Sequence, residues 1–366
     1  MRRRHHRFPE VAKLGTVIPA VSTENIRIPR VVTNLIHSIT GSDGWLYWVY
    51  NFLSVSIVVF VNPGSRANRR DPDRARRFAS ILGETGHVVS PASSDALACE
   101  ARQVAQAQPS IIGVHGGDGT LHWTVTALLH AYGERPLPPL ALLPGGTMNV
   151  VASSLDIWSE PEALLAQLAT GEREASSPAI VVRRCMKVQD EYGFVFGTGL
   201  ITNFLEEYYA KGEYGASRAV WILARSILSE ATTGHYAKRI FRRFRARVFV
   251  DGELLPWTAL LGLGAGTVSE VGLGFKLNHR ADDHPGRFSV LAIHSSPLGL
   301  TWDLPAVRQG RGISPRRAWS AVATRLVIEP EEPETLYTVD GDLYRARGNL
   351  TVELGPALSF VRPRSG

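Results

Sequence analysis

The stretch Ile111-Ile-Gly-Val-His-Gly-Gly-Asp-Gly-Thr120 runs from a β-branched apolar segment directly into a glycine-rich turn. Apolar residues then recur at helical spacing, at Leu121, Val125, Leu128, Leu129 and Tyr132. A strand, a glycine turn and a helix in this order form the repeating unit of a parallel sheet. Glycines in the turn let backbone N–H groups approach an anion, and the helix N-terminus adds its dipole. The alternative interpretation is a tight turn in which Asp118 caps the helix. The turn is neither a P-loop nor a dinucleotide fingerprint.

Two further loops repeat this pattern. Asn62-Pro-Gly-Ser65 follows the apolar run 57–61, and Pro144-Gly-Gly-Thr-Met-Asn149 follows the apolar run 139–143. The carboxyl ends of parallel strands meet at one edge of a sheet, which is where ligands bind in open α/β folds. The three loops therefore predict a cleft for nucleotide phosphates.

The chain of 366 residues is long enough for two domains and an appendage. We predict an N-terminal extension over 1–54 and an α/β nucleotide-binding domain with a parallel sheet over 55–178. Shorter, alternating apolar stretches predict an antiparallel β-sandwich domain over 179–366. A helical stretch at 217–230 interrupts that domain, and its last strands are expected to return towards the first domain.

Composition limits the class of protein. The formal net charge is +6, and 35 of the 40 basic residues are arginines, which suit phosphates and anionic surfaces. Two cysteines exclude a disulfide framework or a four-cysteine zinc site and indicate a reducing cytoplasm. The basic residues 1–7 precede no apolar core of a secretory signal. We interpret the apolar run 45–61 as an aromatic lead-in and a buried strand, the alternative being a short membrane-spanning helix.

The three loops resemble, in order and spacing, the signature loops of the diacylglycerol kinase and sphingosine kinase superfamily. The resemblance covers about residues 55–362. It implies an α/β nucleotide domain followed by a β-sandwich lipid domain, and transfer of the γ-phosphoryl group of ATP to a lipid hydroxyl with Mg²⁺. It also implies a cytoplasmic enzyme that meets its lipid substrate at the inner surface of a membrane.

The resemblance implies a set of nucleotide-binding residues. They are Asn62, Pro63, Gly64, Ser65, Arg66, Ser90, Gly116, Gly117, Asp118, Gly119, Thr120, Gly146, Thr147 and Asn149. Arg66 departs from the glycine that the family usually has after the serine. Ser90 stands where the family often has a threonine.

Two segments offer a catalytic carboxylate, Val250-Asp-Gly-Glu253 and Val339-Asp-Gly-Asp342. Asp-Gly between β-rich runs is first of all a hairpin turn. The family's catalytic Asp-Gly-Glu lies near the end of the domain, which selects Asp340 and Asp342, and Asp342 is one methylene shorter than the family's glutamate. Asp118 is the competing base. Asp283 resembles the family's residue for a structural Mg²⁺.

The segment 238–247 carries six cations with interleaved aromatic residues. Attraction to anionic lipid headgroups, nucleic-acid binding and a solvated strand face are the three interpretations, and no nucleic-acid-binding module surrounds the segment. Two other functions stay open, a kinase of a soluble acceptor such as NAD and a nucleotide- or lipid-binding protein without catalysis. The sequence does not fix the oligomeric state, and a homodimer stays open.

Overall fold

Four parallel strands begin the larger of two sheets in this computed structural model. The structure describes residues 56–146, 148–170, 179–210, 225 and 235–363, and only the backbone of Arg66 and of residues 235–237. The strands are β1 (Ile57–Val61), β2 (Gly86–Val89), β3 (Ile111–Gly116) and β4 (Leu140–Pro144), in the spatial order β2-β1-β3-β4. The predicted extension 1–54, the domain boundary near 171–178 and, apart from Arg225, the predicted helix 217–230 lie outside the described residues.

Helices cover both faces of this parallel region. They are α1 (Arg66–Arg70), α2 (Arg74–Leu82), α3 (Ser94–Ala107), α4 (Asp118–Tyr132), α5 (Val150–Ser154) and α6 (Pro161–Thr170). Helices α3 and α4 share a core with one face of the sheet, and α2 and α6 share a core with the other. All five residues of β1 are buried because both faces are covered. The apolar face predicted for α4 is confirmed, since each of its five residues is buried.

A long strand, β17 (Leu350–Arg362), continues the sheet beyond β4. It pairs in parallel with β4 through Phe360 and Leu140, and its earlier residues pair antiparallel with β14 (Arg325–Pro330). The remaining strands of this sheet are β5 (Ala179–Val188), β6 (Glu191–Gly193), β8 (Phe244–Val250), β9 (Glu253–Leu254) and β10 (Ala259–Leu260). The pairing register of β17 with β5 shifts between Leu354 and Ala357, as at a β-bulge.

A second, antiparallel sheet packs against this extension. In spatial order its strands are β13 (Ala318–Ala323), β12 (Phe288–Ile293), β11 (Gly262–Gly266), β7 (Val195–Gly199), β15 (Glu334–Val339) and β16 (Asp342–Arg347). Side chains from both sheets form one buried core, for example Val248, Val290 and Val352. The predicted fold class, an α/β domain with a parallel sheet followed by an antiparallel β-sandwich, is confirmed.

The second half also contains short helices. These are α7 (Leu200–Tyr209), α8 (His235–Ile240), α9 (Pro297–Thr301) and α10 (Leu304–Arg308). Within the part of the chain that the structure describes, no helix is long and apolar enough to cross a membrane.

Candidate active site

The predicted loops meet at the carboxyl edge of the parallel strands. The Asn62 side-chain amide donates to Thr120 Oγ1 at 3.0 Å, which joins the first loop to the second. The Gly145 N–H donates to the Gly116 carbonyl at 2.8 Å, which joins the second loop to the third. Ser90 is exposed directly after β2, so it lies at the same edge.

Polar contacts within each loop fix its conformation. The Gly64 N–H donates to Asn62 Oδ1 at 2.8 Å, beside the exposed Pro63. Ser65 caps α1, since its hydroxyl oxygen accepts from the Asn68 N–H at 3.2 Å. Asn149 has a positive φ of 47° and exchanges two hydrogen bonds with the backbone of Gly146.

The glycine loops approach each other so closely that side chains are excluded. A Cβ added to Gly117 would lie 3.1 Å from the Gly146 Cα, and one added to Gly116 would lie 2.3 Å from Thr120 Oγ1. The N-cap of α4 is Gly117, which provides no side-chain cap, so the first N–H groups of this 15-residue helix remain available. This arrangement of backbone donors at a helix N-terminus fits a phosphate group. Thr147 lies outside the described residues, and Arg66 begins α1 with a side chain that is not described.

His115 lies beneath the loops and connects them. Its ring is fully buried, with Nδ1 2.9 Å from the Leu143 carbonyl and Nε2 3.0 Å from Asn68 Oδ1. A Cβ on Gly145 would lie 2.7 Å from this ring. Burial lowers the pKa of His115, and the Leu143 carbonyl opposes that effect. The sequence analysis assigned His115 no part in the site, and its position directly before the glycines was the available signal.

Asp118 faces the start of α5. Its Oδ1 accepts from the Val151 N–H at 3.3 Å, so the carboxylate caps α5 and ties the second loop to the third. Burial raises the pKa of Asp118, while the backbone N–H groups of α5 oppose the shift.

Asp342 reaches the same place from the second sheet. A Cβ built on Gly119 would lie 3.2 Å from Asp342 Oδ2, so glycine at this position lets the carboxylate approach the start of α4. This oxygen is buried without a hydrogen-bond partner among the described residues. Burial raises the pKa of Asp342 to about 6, and the Trp123 indole N–H lowers it.

Asp340 holds the turn that presents Asp342. Its Oδ1 accepts from the backbone N–H groups of Phe194 at 2.9 Å and Val195 at 2.8 Å. Burial of the carboxyl group raises the pKa of Asp340 to about 8; the two N–H groups lower it, and Asp118 and Asp342 raise it further. The three predicted carboxylates are therefore brought together, but Asp340 and Asp118 accept from backbone while Asp342 Oδ2 does not.

Aromatic side chains that the sequence analysis missed surround Asp342. The Tyr344 hydroxyl donates to His122 Nε2 at 2.6 Å, and His122 Nδ1 donates to the Tyr192 carbonyl at 2.8 Å. Burial lowers the pKa of His122 to about 4, so its ring is neutral and can accept from the tyrosine. Trp123 packs on Tyr344 with ring centroids 6.1 Å apart. The only local signal was the position of His122 and Trp123 one turn after the glycines.

Comparisons with known proteins agree with this geometry. Residues 56–179 match the family model of the diacylglycerol kinase catalytic domain. Residues 56–179 belong to the diacylglycerol kinase catalytic-domain superfamily. The glycine loops and α4 all lie inside the matched segment, whereas Asp342 lies beyond it and is placed by the fold alone. A search of curated proteins finds no match to the sequence.

Solved structures extend the likeness beyond the diacylglycerol kinase domain. A diacylglycerol kinase from Bacillus anthracis str. Sterne is 14% identical with a TM-score of 0.56, covering 84% of this chain and 97% of that chain. A candidate diacylglycerol kinase from the same organism is 15% identical with a TM-score of 0.60 and the same coverage. At these identities the likeness establishes that the two-domain fold is shared.

Asp283, the predicted Mg²⁺ ligand, forms an ion pair in the structure, and its role as a metal ligand stays a prediction. Its carboxylate accepts from the Arg280 guanidinium at 2.7 Å in an exposed turn, and the neighbouring Asp282 pairs with Arg183 at 2.7 Å. No three His, Cys, Asp or Glu side chains of the described residues are grouped so that they could hold a metal ion.

The cations of the basic segment are largely neutralised by neighbours. Arg245 pairs with Glu331 at 3.0 Å, Arg247 pairs with Glu329, and the Arg243 guanidinium donates to the carbonyls of residues 259, 294 and 295. Of the three interpretations offered for 238–247, a paired and solvated strand face agrees best with these contacts.

Proposed function

We propose that the protein is an ATP-dependent lipid kinase that transfers the γ-phosphoryl group of ATP to a lipid hydroxyl. One observation carries the proposal. Asp342, a carboxylate with an unpartnered oxygen, lies against Gly119 at the start of α4, where the glycine loops expose backbone donors. A proton acceptor beside a phosphate site is the arrangement that phosphoryl transfer to an alcohol requires.

In this proposal the loops bind the nucleotide. Backbone N–H groups at Gly117 and Gly119 and the dipole of α4 would stabilise the negative charge of the phosphates. Asn62 and Thr120 hold the first two loops in register through their side-chain hydrogen bond. His115 and Asn68 fix the floor of the site and would touch no substrate.

Asp342 would accept the proton of the acceptor hydroxyl. With its pKa raised to about 6, the carboxylate is ionised at neutral pH and is a stronger base than an ordinary aspartate. Asp340 would act as a positioning residue, because its carboxylate accepts backbone N–H groups. Asp118 is the less suitable base, because its Oδ1 caps α5.

The glycine loops would bind the phosphates of ATP, whereas the described side chains do not by themselves form a site for Mg²⁺. Mg²⁺ commonly binds through substrate phosphates with only one or two carboxylates, and in this proposal it enters with ATP.

The activity can be tested with labelled ATP and a panel of acceptors. The panel contains diacylglycerol, monoacylglycerol, ceramide, sphingoid bases, phosphatidylglycerol and NAD, each dispersed in detergent with and without Mg²⁺. We expect a labelled lipid that depends on Mg²⁺. Label on NAD alone would indicate a soluble acceptor, and bound ATP without any labelled product would indicate a binding protein; either result rejects the proposal.

The phosphate loops have a matched control. Gly117→Ala adds a Cβ 3.1 Å from the Gly146 Cα, whereas Gly286→Ala adds one with no atom within 4 Å. We expect Gly117→Ala to weaken ATP binding about tenfold or more, since it pushes the two loops apart. Gly286→Ala should bind ATP like the wild type. Unchanged ATP affinity in Gly117→Ala, measured by calorimetry, would reject the loops as the phosphate site.

A further inference from the structure

Helix α9 presents two large apolar side chains to solvent. Trp302 is 81% exposed and Leu298 is 47% exposed. They are four residues apart on α9 and its C-cap, so they lie on the same face. Pro305, also exposed, follows at the start of α10. An exposed tryptophan beside an exposed leucine is the pairing found where proteins meet the interface of a membrane.

This apolar pair is held rigidly. Asp303, adjacent to Trp302, is buried and accepts two hydrogen bonds from the Arg317 guanidinium, at 2.6 and 2.8 Å. The Arg317 carbonyl in turn accepts from the backbone N–H groups of residues 294 and 295. These hydrogen bonds fix the turn that carries Trp302, so its side chain is exposed in the folded protein.

Unneutralised cations surround the pair. Arg308, Arg311 and Arg316 are exposed, and none has a carboxylate within ion-pair distance among the described residues. The only acidic residue between 297 and 317 is Asp303, which Arg317 already neutralises. This surface thus carries a net charge of about +3. The basic strand β8 differs, since its arginines pair with glutamates.

The surface is linked to the candidate active site by one loop. The Arg308 guanidinium donates to the Leu273 carbonyl at 3.2 Å. Beside it, the Gly274 N–H donates to Glu270, which also accepts from the Ser153 hydroxyl of α5 at 3.1 Å. Helix α5 directly follows the third glycine loop, so these contacts connect α10 to the end of that loop.

We propose that the surface formed by Leu298, Trp302, Pro305, Arg308, Arg311 and Arg316 docks on a bilayer of anionic phospholipids. Trp302 and Leu298 enter the headgroup interface, and the three arginines contact lipid phosphates. The surface gives the proposed lipid kinase its access to substrate, so its purpose rests on that function. Its binding to lipid does not depend on catalysis.

The test is sedimentation with vesicles, without ATP, of the full chain and its variants. The vesicles contain phosphatidylcholine alone or phosphatidylcholine with phosphatidylglycerol. We expect the wild type to bind the anionic vesicles and bind the neutral ones weakly. Trp302→Ala, and the triple change of Arg308, Arg311 and Arg316 to Gln, should each lower the partition coefficient about fivefold or more.

Two controls match these variants. Trp158 is 69% exposed on the first half of the fold, and Arg245 is paired with Glu331. Trp158→Ala and Arg245→Gln should sediment with anionic vesicles like the wild type. Equal loss in the controls, unchanged binding in Trp302→Ala, or equal binding to neutral vesicles would overturn the proposal. A dimer in vesicle-free solution that Trp302→Ala dissociates would overturn it too, since a second copy would then cover the surface.

The two proposals fail separately. If the protein phosphorylates a detergent-dispersed lipid but does not bind vesicles, the docking proposal is rejected and the kinase proposal stands. If the protein binds vesicles through Trp302 but phosphorylates no acceptor, the kinase proposal is rejected and the docking proposal is supported.

Discussion

Asp342 occupies a position where a carboxylate is useful for chemistry and unfavourable for stability. Its buried Oδ2 has no hydrogen-bond partner among the described residues, and burial raises its pKa from 3.8 to about 6. An acid that is easier to protonate in the folded state stabilises that state at low pH. This contribution is lost as the pH rises through the folded pKa. Removing the charge should therefore increase stability above pH 6.

We predict that Asp342→Asn is more stable than the wild type at pH 8 and equally stable near pH 4. The gain should be about 1–2 kcal/mol at pH 8, below the full value of the pKa change because the side chain is partly open to solvent. Urea unfolding at the two pH values measures it. A variant less stable than the wild type at pH 8 would show that the carboxylate is satisfied in the folded state.

The same substitution should abolish most of the activity. Loss of a general base typically lowers the rate by at least about 10²-fold. In the wild type, kcat/KM should rise with pH and level off above about pH 6, where Asp342 is ionised. Asp118→Asn should show the same rise of kcat/KM with pH. If Asp118→Asn lost this pH dependence and Asp342→Asn kept it, Asp118 would be the base and Asp342 would not.

At this scale the loops were easier to predict from the sequence than the position of the proposed base. Asn62, Gly117 and Gly146 were recognisable because each directly follows a strand, and strand ends meet at a sheet edge by local geometry. Asp342 meets Gly119 because β15, the hairpin partner of β16, pairs with β7, which lies more than 100 residues earlier in the sequence. Trp123 and Tyr344 come together beside Asp342 through the same long-range pairing, which the periodicity of the sequence does not indicate.

Two hairpins of this chain have nearly the same turn. Asp340 and Gly341 join β15 to β16 with φ values of 48° and 94°, and Asp251 and Gly252 join β8 to β9 with 48° and 90°. Positive φ at both central residues is the signature of a type I′ turn, which Asp-Gly favours. The hairpin interpretation of both motifs is confirmed. They differ in the next residue, since Glu253 is exposed whereas Asp342 reaches α4.

We predict that Gly341→Ala and Gly252→Ala lower stability by similar amounts, about 1–2 kcal/mol, because both force alanine into a left-handed conformation. Neither Cβ meets an atom closer than 3.5 Å. Only Gly341→Ala should also lower kcat, since its turn positions Asp342. Thermal unfolding and steady-state kinetics compare the two. Equal activity in both variants would show that the turn does not set the position of the base.

Strand pairing explains which basic residues have a carboxylate partner, and a binding role of the segment 238–247 stays a prediction. The segment 238–247 was singled out because its cations are contiguous in sequence. The carboxylate partners of Arg245 and Arg247 are Glu331 and Glu329, which become adjacent only when β14 pairs with β8. The cations at Arg308, Arg311 and Arg316 are sparser in sequence, yet none of them forms an ion pair with a carboxylate of the described residues.

For the whole molecule, β17 is a strand that contributes buried residues to both cores. Leu350 is buried in the sandwich core, and Leu358 is buried in the core beneath α3 and α4. Because neither sheet region is complete without β17, we expect the two cores to unfold together.

We predict one cooperative unfolding transition. Leu350→Ala and Leu358→Ala should each destabilise the protein by about 2–5 kcal/mol and shift that transition as a whole. Calorimetry, together with fluorescence and circular dichroism during urea unfolding, provides the measurement. Two separate transitions, with each variant moving only one, would show independent domains.

The position of β17 also has a consequence for synthesis on the ribosome. Strands β1 to β4 are translated first, yet β4 keeps an unpaired edge until residues 350–362 have been made. The sheet of the first half therefore cannot be completed before residues 350–362 have been synthesised, after the sandwich strands that precede them. A stalled or prematurely terminated product would display open strand edges at β4 and β14, which are templates for aggregation and targets for chaperones.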